Sequence, residues 1–186
     1  DYPAKPVRLV VPFAPGGGFE VGLRPLAQEL SHRLEQAVVI DNRGGAGGIV
    51  GTEIVARALP DGYTPLAGSV TLASPPGLYK NLPFDPIKDF SPISVAVTSA
   101  YFLLLNFSVQ VTSVKELMVL SKQEPGRLRI GSAGNGSTIH LAGEMLKSMA
   151  GINVTQITYK GSGPAMTALL GNEVQIMFAP TGTSLP

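Results

Sequence analysis

Val10-Val11-Pro12-Phe13-Ala14-Pro15-Gly16-Gly17-Gly18 carries an apolar strand into two prolines and three consecutive glycines, and a helical pattern follows at once. The backbone N–H groups at a helix start have no acceptor inside the helix. Together with the helix dipole they favour an anion. The guest expected at this loop is a carboxylate.

Working outward, Val7 to Val11 reads as a short buried strand bounded by Pro6 and Pro12. Leu23, Leu26, Ala27, Leu30 and Leu34 recur at helical spacing, with Arg24, Gln28, Glu29, His32 and Arg33 off that stripe. Pro25 is expected in the first turn, where a missing N–H costs little. Val38-Val39-Ile40 followed by Arg43-Gly44-Gly45-Ala46-Gly47-Gly48 repeats the strand, glycine loop, helix order. Ile54, Val55, Ala58 and Leu59 form the next apolar face, stopped by Pro60-Asp61-Gly62. Tyr63 to Gly68 is a third strand candidate, which Pro65 suggests is an edge or a short strand. The proline-punctuated stretch 69–92 is read as loops around a short helix near Leu78 to Asn81. Ile93 to Val97 and Tyr101 to Asn106 are read as buried strands, with a domain crossing at Thr98 to Ala100.

The alternation then resumes. Ser113 and Glu116 suit a capping box, and the helix they open ends near Glu124-Pro125-Gly126. Leu128 to Gly131 is a strand, followed by a third glycine loop, Ser132 to Thr138. Its helix is expected to turn Leu141, Ala142, Met145, Leu146 and Met149 to the core. Val154 to Ile157 is a strand, Gly163-Pro164 opens a helix with proline at its first position, and Gly171 closes it. Val174 to Phe178 is the last strand. It is expected as a sheet edge in need of cover, since only Thr181-Gly182-Thr183-Ser184-Leu185-Pro186 follow it. Strands alternating with helices predict an α/β architecture with mainly parallel sheets. Ligands in such sheets sit beyond the carboxyl ends of the strands, where these glycine loops lie.

The loops' own chemistry narrows the anion. None matches Gly-x-x-x-x-Gly-Lys-Ser/Thr or Gly-x-Gly-x-x-Gly, and Arg43 is their only cation, which is too little for a pyrophosphate. A carboxylate needs only backbone N–H groups and hydroxyls, at about 1.5–3 kcal/mol for each charge-assisted bond. Ser132, Ser137 and Thr138 supply hydroxyls, and helix capping by Ser137 or Thr138 is compatible with that role. His140 stands near the third loop, where a supporting role is favoured over ligand contact. Glu20 is read either as an ordinary first-turn acid or as a group that reads a donor on the ligand. The total charge of +1 lacks the footprint of a nucleic-acid binder, and the absence of cysteine excludes disulfides, thiolate metal sites and thiol nucleophiles. No nucleophile–base arrangement suggests catalysis, and neither a metal nor a cofactor is expected. No apolar run is long enough to span a bilayer, and Asp1-Tyr2-Pro3 is compatible with a mature N-terminus.

Tyr2-Pro3, Lys5-Pro6-Val7-Arg8, Val11-Pro12-Phe13 and Pro15-Gly16-Gly17-Gly18 resemble the opening of the tripartite tricarboxylate transporter receptors, the Bug-type periplasmic solute-binding proteins. The likeness continues through Asn42-Arg43, Gly45-Ala46-Gly47-Gly48, Pro60-Asp61-Gly62-Tyr63, Leu78-Tyr79-Lys80-Asn81-Leu82-Pro83, Asp85-Pro86 and Lys88-Asp89-Phe90. Gly134-Asn135-Gly136-Ser137, His140-Leu141-Ala142-Gly143-Glu144 and Tyr159-Lys160-Gly161 complete it. The resemblance implies a two-lobed clamp that traps a small carboxylate and presents it to integral membrane transporter subunits from the periplasm, without catalysis. It implies a first lobe over 1–98 and a second over 99–186, with the C-terminal part of the usual fold missing.

Loop chemistry and resemblance together nominate Phe13, Pro15, Gly16, Gly17, Gly18, Phe19, Glu20 and Ser69 as ligand-binding, with Ser132, Ala133, Gly134, Ser137, Thr138, His140, Tyr159 and Phe178 opposite them. Phe19 and Glu20 replace the family's usual small hydroxyl residue and aspartate, and Ala179-Pro180 replace its usual acidic residue and asparagine. The ligand class stays open between mono- and dicarboxylates, amino acids and aromatic acids. A homodimer over the exposed last strand, a shortened interaction module and an α/β enzyme using the same loops are the alternatives.

Overall fold

The computed structural model describes residues 2–184, in two sheets flanked by helices. In the first, β1 (Val7–Val11) pairs in parallel with β2 (Val38–Asn42) through α1 (Gly18–Leu34). β1 is short and almost wholly apolar because it is covered on both sides. Leu9 and Val11 pack with Leu23 of α1 and Ala67, with Phe13, Phe19 and Leu26 around them. Tyr63 to Ala67 lies along the other side of β1. Arg8 N–H donates to the Tyr63 carbonyl (2.8 Å), Val10 N–H to that of Pro65 (2.9 Å), and Ala67 N–H to that of Val10 (2.9 Å). Pro65, which lacks a donor, accepts here, so this third segment is an edge with a single bridge at Leu66.

After α2 (Ile49–Ala56) and the short α3 (Pro75–Leu78), the chain enters the second sheet, ordered β3-β6-β4-β5. These strands are β3 (Tyr101–Leu105), β4 (Arg129–Ser132), β5 (Thr155–Thr158) and β6 (Ile176–Pro180). β4 pairs in parallel with β5 and β6, and β3 is antiparallel to β6. The helices are α4 (Val114–Gln123), α5 (Thr138–Ala150), α6 (Ser162–Leu170) and the four-residue α7 (Thr181–Ser184). Two apolar layers sandwich the sheet. One holds Ile139, Ala165, Leu169 and Met177; the other holds Leu117, Leu128, Ile130, Val154 and Ile176. The expected α/β order with mainly parallel sheets is the one observed.

Several expectations give way to tertiary packing. The last strand is not an edge: β6 lies between β3 and β4, with Ile176 and Met177 fully buried. A strand enclosed on both faces carries the continuous apolar run that Ile176 to Pro180 shows, and the exposed edge that suggested a homodimer is gone. α7 follows it directly and packs on α1, while Leu185 and Pro186 lie outside the described residues. Ile93 to Val97 is not a strand. Among the described residues no strand pairs with it, and Ile93 and Val95 stand 88% and 80% exposed.

α1 starts at Gly18, so Pro25 sits in the helix interior rather than in the first turn. It is exposed there, and it leaves the Val21 carbonyl without its helical donor. α2 stops at Ala56 and Leu59 is exposed. α3 ends at Leu78 instead of starting there. Met145 and Met149 are exposed because α5 turns Ile139, Gly143 and Leu146 inward. Gly143 fits against Ile130 and Gln156, where a side chain would crowd both. Pro164 is third in α6, not first. Ser113 caps α4 as expected, accepting from Glu116 N–H (3.2 Å), but the Glu116 carboxylate reaches Thr112 N–H (2.7 Å), one residue earlier than a capping box requires.

Asp41 ties the first sheet together. It accepts from the Arg8 guanidinium on β1 and from Arg43 Nε (2.9 Å). Burial raises its pKa, but hydrogen bonds and charge from both arginines outweigh that and hold it below the ordinary carboxylate value. A depressed carboxylate stabilises the fold above its unfolded pKa, and that contribution is lost as pH falls through the folded one. Asp41→Asn is therefore expected to lower the melting temperature at pH 7, with the deficit shrinking as pH falls below about 4. Melts from pH 7 to pH 3 check this; a constant deficit contradicts it.

The sheets meet backbone to backbone. A Cβ on Gly47 would stand 1.8 Å from the Asn135 carbonyl oxygen, and its φ of +65° is left-handed. For alanine that conformation alone costs about 1–2 kcal/mol. Gly47→Ala is expected to lower the melting temperature by at least about 3 °C and to enlarge the radius of gyration in X-ray scattering. Gly77→Ala, in open space, should do neither.

Candidate functional site

Between the sheets lies a cavity of about 70 Å³. From the first-sheet side Val11, Phe13, Ala14, Gly17, Phe19, Glu20 and Ser69 line it. From the second-sheet side Tyr101, Ala133, Ser137, Thr138, Ile139, Ser162 and Pro180 close it. Three helices begin at its wall: α1 with Gly17 as N-cap, α5 with Ser137 as N-cap, and α6 with Ser162 as its first residue. The first N–H groups of each have no acceptor within their own helix, and the three dipoles present positive ends to one small volume.

The side chains prepare each end differently. Ser137, almost fully buried, accepts from His140 N–H (3.2 Å), the ordinary N-cap bond. Its hydroxyl hydrogen and that of Thr138 remain to be donated. Ser162 packs against Gly17 so closely that a Cβ on that glycine would lie 2.5 Å from Ser162 Oγ. Beside the start of α1 the chain's own anion takes a donor from the loop that precedes the helix. Glu20, 3% exposed, accepts from Gly16 N–H through Oε2 (3.0 Å) and from the Arg24 guanidinium through Oε1. Opposite the hydroxyls the wall is aromatic, with Phe13 and Phe19 edge to face at 5.6 Å.

Eight of the sixteen nominated residues line this cavity: Phe13, Gly17, Phe19, Glu20, Ser69, Ala133, Ser137 and Thr138. The rest stand elsewhere. Gly16 turns its N–H to Glu20, and Gly18 packs against Pro180 and Thr183. Pro15 borders a shallow hollow with Arg24 and Asn42. Ser132 is buried, its hydroxyl 3.4 Å from the Ile157 carbonyl. His140 stands behind Ser137, with Nδ1 buried and unpaired. Phe178 is packed in the second-sheet core.

Gly134 and Tyr159 line a separate hollow with Gly47, Asn135 and Lys160. Burial, and after it the negative charge of Glu173, raise the pKa of Tyr159. Arg43, the one loop cation, is drawn away to Asp41. Among the described residues no group of three or more His, Cys, Asp or Glu is placed to hold a metal.

Sequence reasoning missed Val11, Ala14, Tyr101, Ile139, Ser162 and Pro180. Gly161-Ser162-Gly163 after β5 is a fourth strand, glycine, helix junction and was readable as such. Tyr101 carries no local signal, because it reaches the cavity only by pairing with Pro180 across the antiparallel β3–β6 ladder.

The second glycine loop serves a different purpose from the other two. It meets the third face to face at Gly47 and Gly134. Two hydrogen bonds from first-sheet segments to second-sheet loops accompany that contact: Ala14 N–H to the Lys160 carbonyl (2.9 Å) and Ser74 Oγ to the Gly136 carbonyl (2.7 Å).

Known proteins share this fold. The chain is 38% identical over 175 residues to the protein BugT of Bordetella pertussis, across 93% of this chain and 54% of that protein. It superposes on Rpa4515 of R. palustris, solved with adipate, with a TM-score of 0.94 at 36% identity, covering all of this chain and 62% of that one. MatC of Rhodopseudomonas palustris, solved with bound malate, gives a TM-score of 0.90 at 29% identity, covering 96% and 61%. The chain thus spans little more than half the length of the curated relative and about three-fifths of the solved structures. The family of tripartite tricarboxylate transporter receptors matches residues 23–186, and the chain belongs to that family.

Proposed function

We propose that this chain is the carboxylate-gripping part of a solute-binding receptor, and that the ligand sits in the cavity between the two sheets. The observation that carries the reading is the convergence of three helix N-termini and the hydroxyls of Ser137, Thr138 and Ser162 on one small volume with no lysine or arginine in its wall. Neutral donors with aligned dipoles suit one carboxylate and undersupply a pyrophosphate. The adipate and malate held by related structures favour the same class.

In this reading residues 1–98 and 99–186 form two lobes that close about the crossing at Thr98 to Ala100. Interlocked glycine loops then mark the closed form, and closure shields the charge-assisted bonds from water. The receptor hands its ligand to membrane transporter subunits on the periplasmic side, as the family description suggests. The wall holds no nucleophile paired with a base, so capture and release are all that is asked of it.

Calorimetry of the folded chain against small carboxylates tests the reading, with saturable 1:1 binding expected. Ser137→Ala combined with Thr138→Ala should weaken binding about 10-fold or more while the protein keeps a cooperative melt. Unchanged affinity removes both hydroxyls from the site.

A further inference from the structure

We propose that the hollow on the far side of the Gly47 junction is the mouth of the cleft, and that Lys160 in its wall draws anionic ligands in. The inference rests on the receptor reading above and adds a route and a rate to it.

Tyr101 and Pro180 close the cavity on the side of the chain crossing. There Thr181 N–H donates to the Ala100 carbonyl (3.1 Å), and the Ser99 and Thr181 hydroxyls lie 2.9 Å apart. That side is tied shut. On the other side a single layer of loop backbone separates cavity from hollow. Ala14 lines the cavity and donates its N–H to the Lys160 carbonyl (2.9 Å), and Lys160 itself borders the hollow. Likewise Ala133 lines the cavity, while Gly134 and Asn135, next in the chain, line the hollow. The hollow measures about 450 Å³, with Gly47 and Tyr79 on its first-sheet side and Asn135, Thr158 and Lys160 on the other. Parting the lobes breaks the contacts of Ala14 and Gly47 and joins the two spaces into one.

Charge singles out Lys160. The cavity wall holds no lysine, arginine or histidine, and the dipoles at its helix starts act only within about a turn. A chain with a net charge of +1 offers an approaching anion no general attraction. Arg43 and Arg24 are neutralised by Asp41 and Glu20. Lys160 is exposed and forms no ion pair among the described residues. No aspartate or glutamate lines the hollow with it. Its charge therefore reaches into the water at the mouth, where it raises the frequency of encounter more than the grip once the lobes have shut.

Stopped-flow mixing of the folded chain with adipate and malate, the carboxylates held by related structures, tests this through tyrosine fluorescence. At about 10 mM ionic strength the screening length is about 30 Å. Under those conditions Lys160→Gln is expected to slow association of these dianions about 3-fold or more, and Lys160→Glu to slow it further. At about 1 M, where the screening length is about 3 Å, both variants should match the parent. Lys160→Arg should keep the parent rate. So should Lys122→Gln, which removes the same charge from an exposed position on α4. Dissociation rates should stay the same throughout. Unchanged association of Lys160→Gln at low salt overturns the proposal. A slowing that persists at high salt overturns it as well, since shape and not charge would then be at work. Faster dissociation with unchanged association also overturns it, because Lys160 would then hold the ligand after closure. Each of these leaves the receptor reading standing. Absence of binding by adipate, malate and a wider carboxylate panel removes the receptor reading itself.

Discussion

At Gly47 the two sheets touch through backbone alone, with no room for a side chain before the Asn135 carbonyl. That contact places the strand-end loops of both sheets within reach of each other, and the cavity is the space that remains beside it. Around it, Ala14 N–H on the Lys160 carbonyl and Ser74 on the Gly136 carbonyl satisfy groups that a glycine-rich junction would otherwise leave bare. Contacts of this kind are short-ranged, so a shift of a few tenths of an ångström at the junction changes them all together. The arrangement therefore behaves as a fit that is either made or lost.

Charge is kept out of the cavity in a similar way. The loop cation Arg43 is taken up by Asp41, and the loop anion Glu20 by Gly16 and Arg24. What reaches the cavity uncommitted is neutral: N–H groups, hydroxyls and aromatic edges. Such a wall offers directed donors rather than net charge.

Much of this was legible in the chain because it is local. Each strand, glycine loop and helix unit announces itself within a short span of sequence, and Ser137 reads as a helix cap without any tertiary knowledge. The α/β class and the strand-end position of the site follow from that alternation. Where reading failed, the deciding contact was distant. Met145 and Met149 fit a helical stripe as well as Ile139 and Leu146 do, and only the position of Ile130 and Gln156 beneath Gly143 sets which stripe faces inward. Ile93 to Val97 has the composition of a strand but pairs with no strand among the described residues. Glu20 looks like any first-turn acid until Gly16 folds back onto it.

By itself, then, the sequence determined the alternation of strands and helices, the family, and the glycine-rich loops at the strand ends, since those depend on short-range propensity and on glycines placed where helices begin. Only the tertiary structure decided that β6 runs through the middle of its sheet, that Tyr101 and Ser162 share the wall with Phe19, and that the second glycine loop fastens the sheets instead of facing the cavity. Pairing between strands and contact between loops are set by residues far apart in the chain, and no local pattern encodes which of several apolar strands will find which neighbour. The stretch from Val10 to Gly18 shows both halves of this. Its conformation is written in its prolines and glycines, while the group that answers Gly16 N–H is a glutamate whose burial depends on the fold around it.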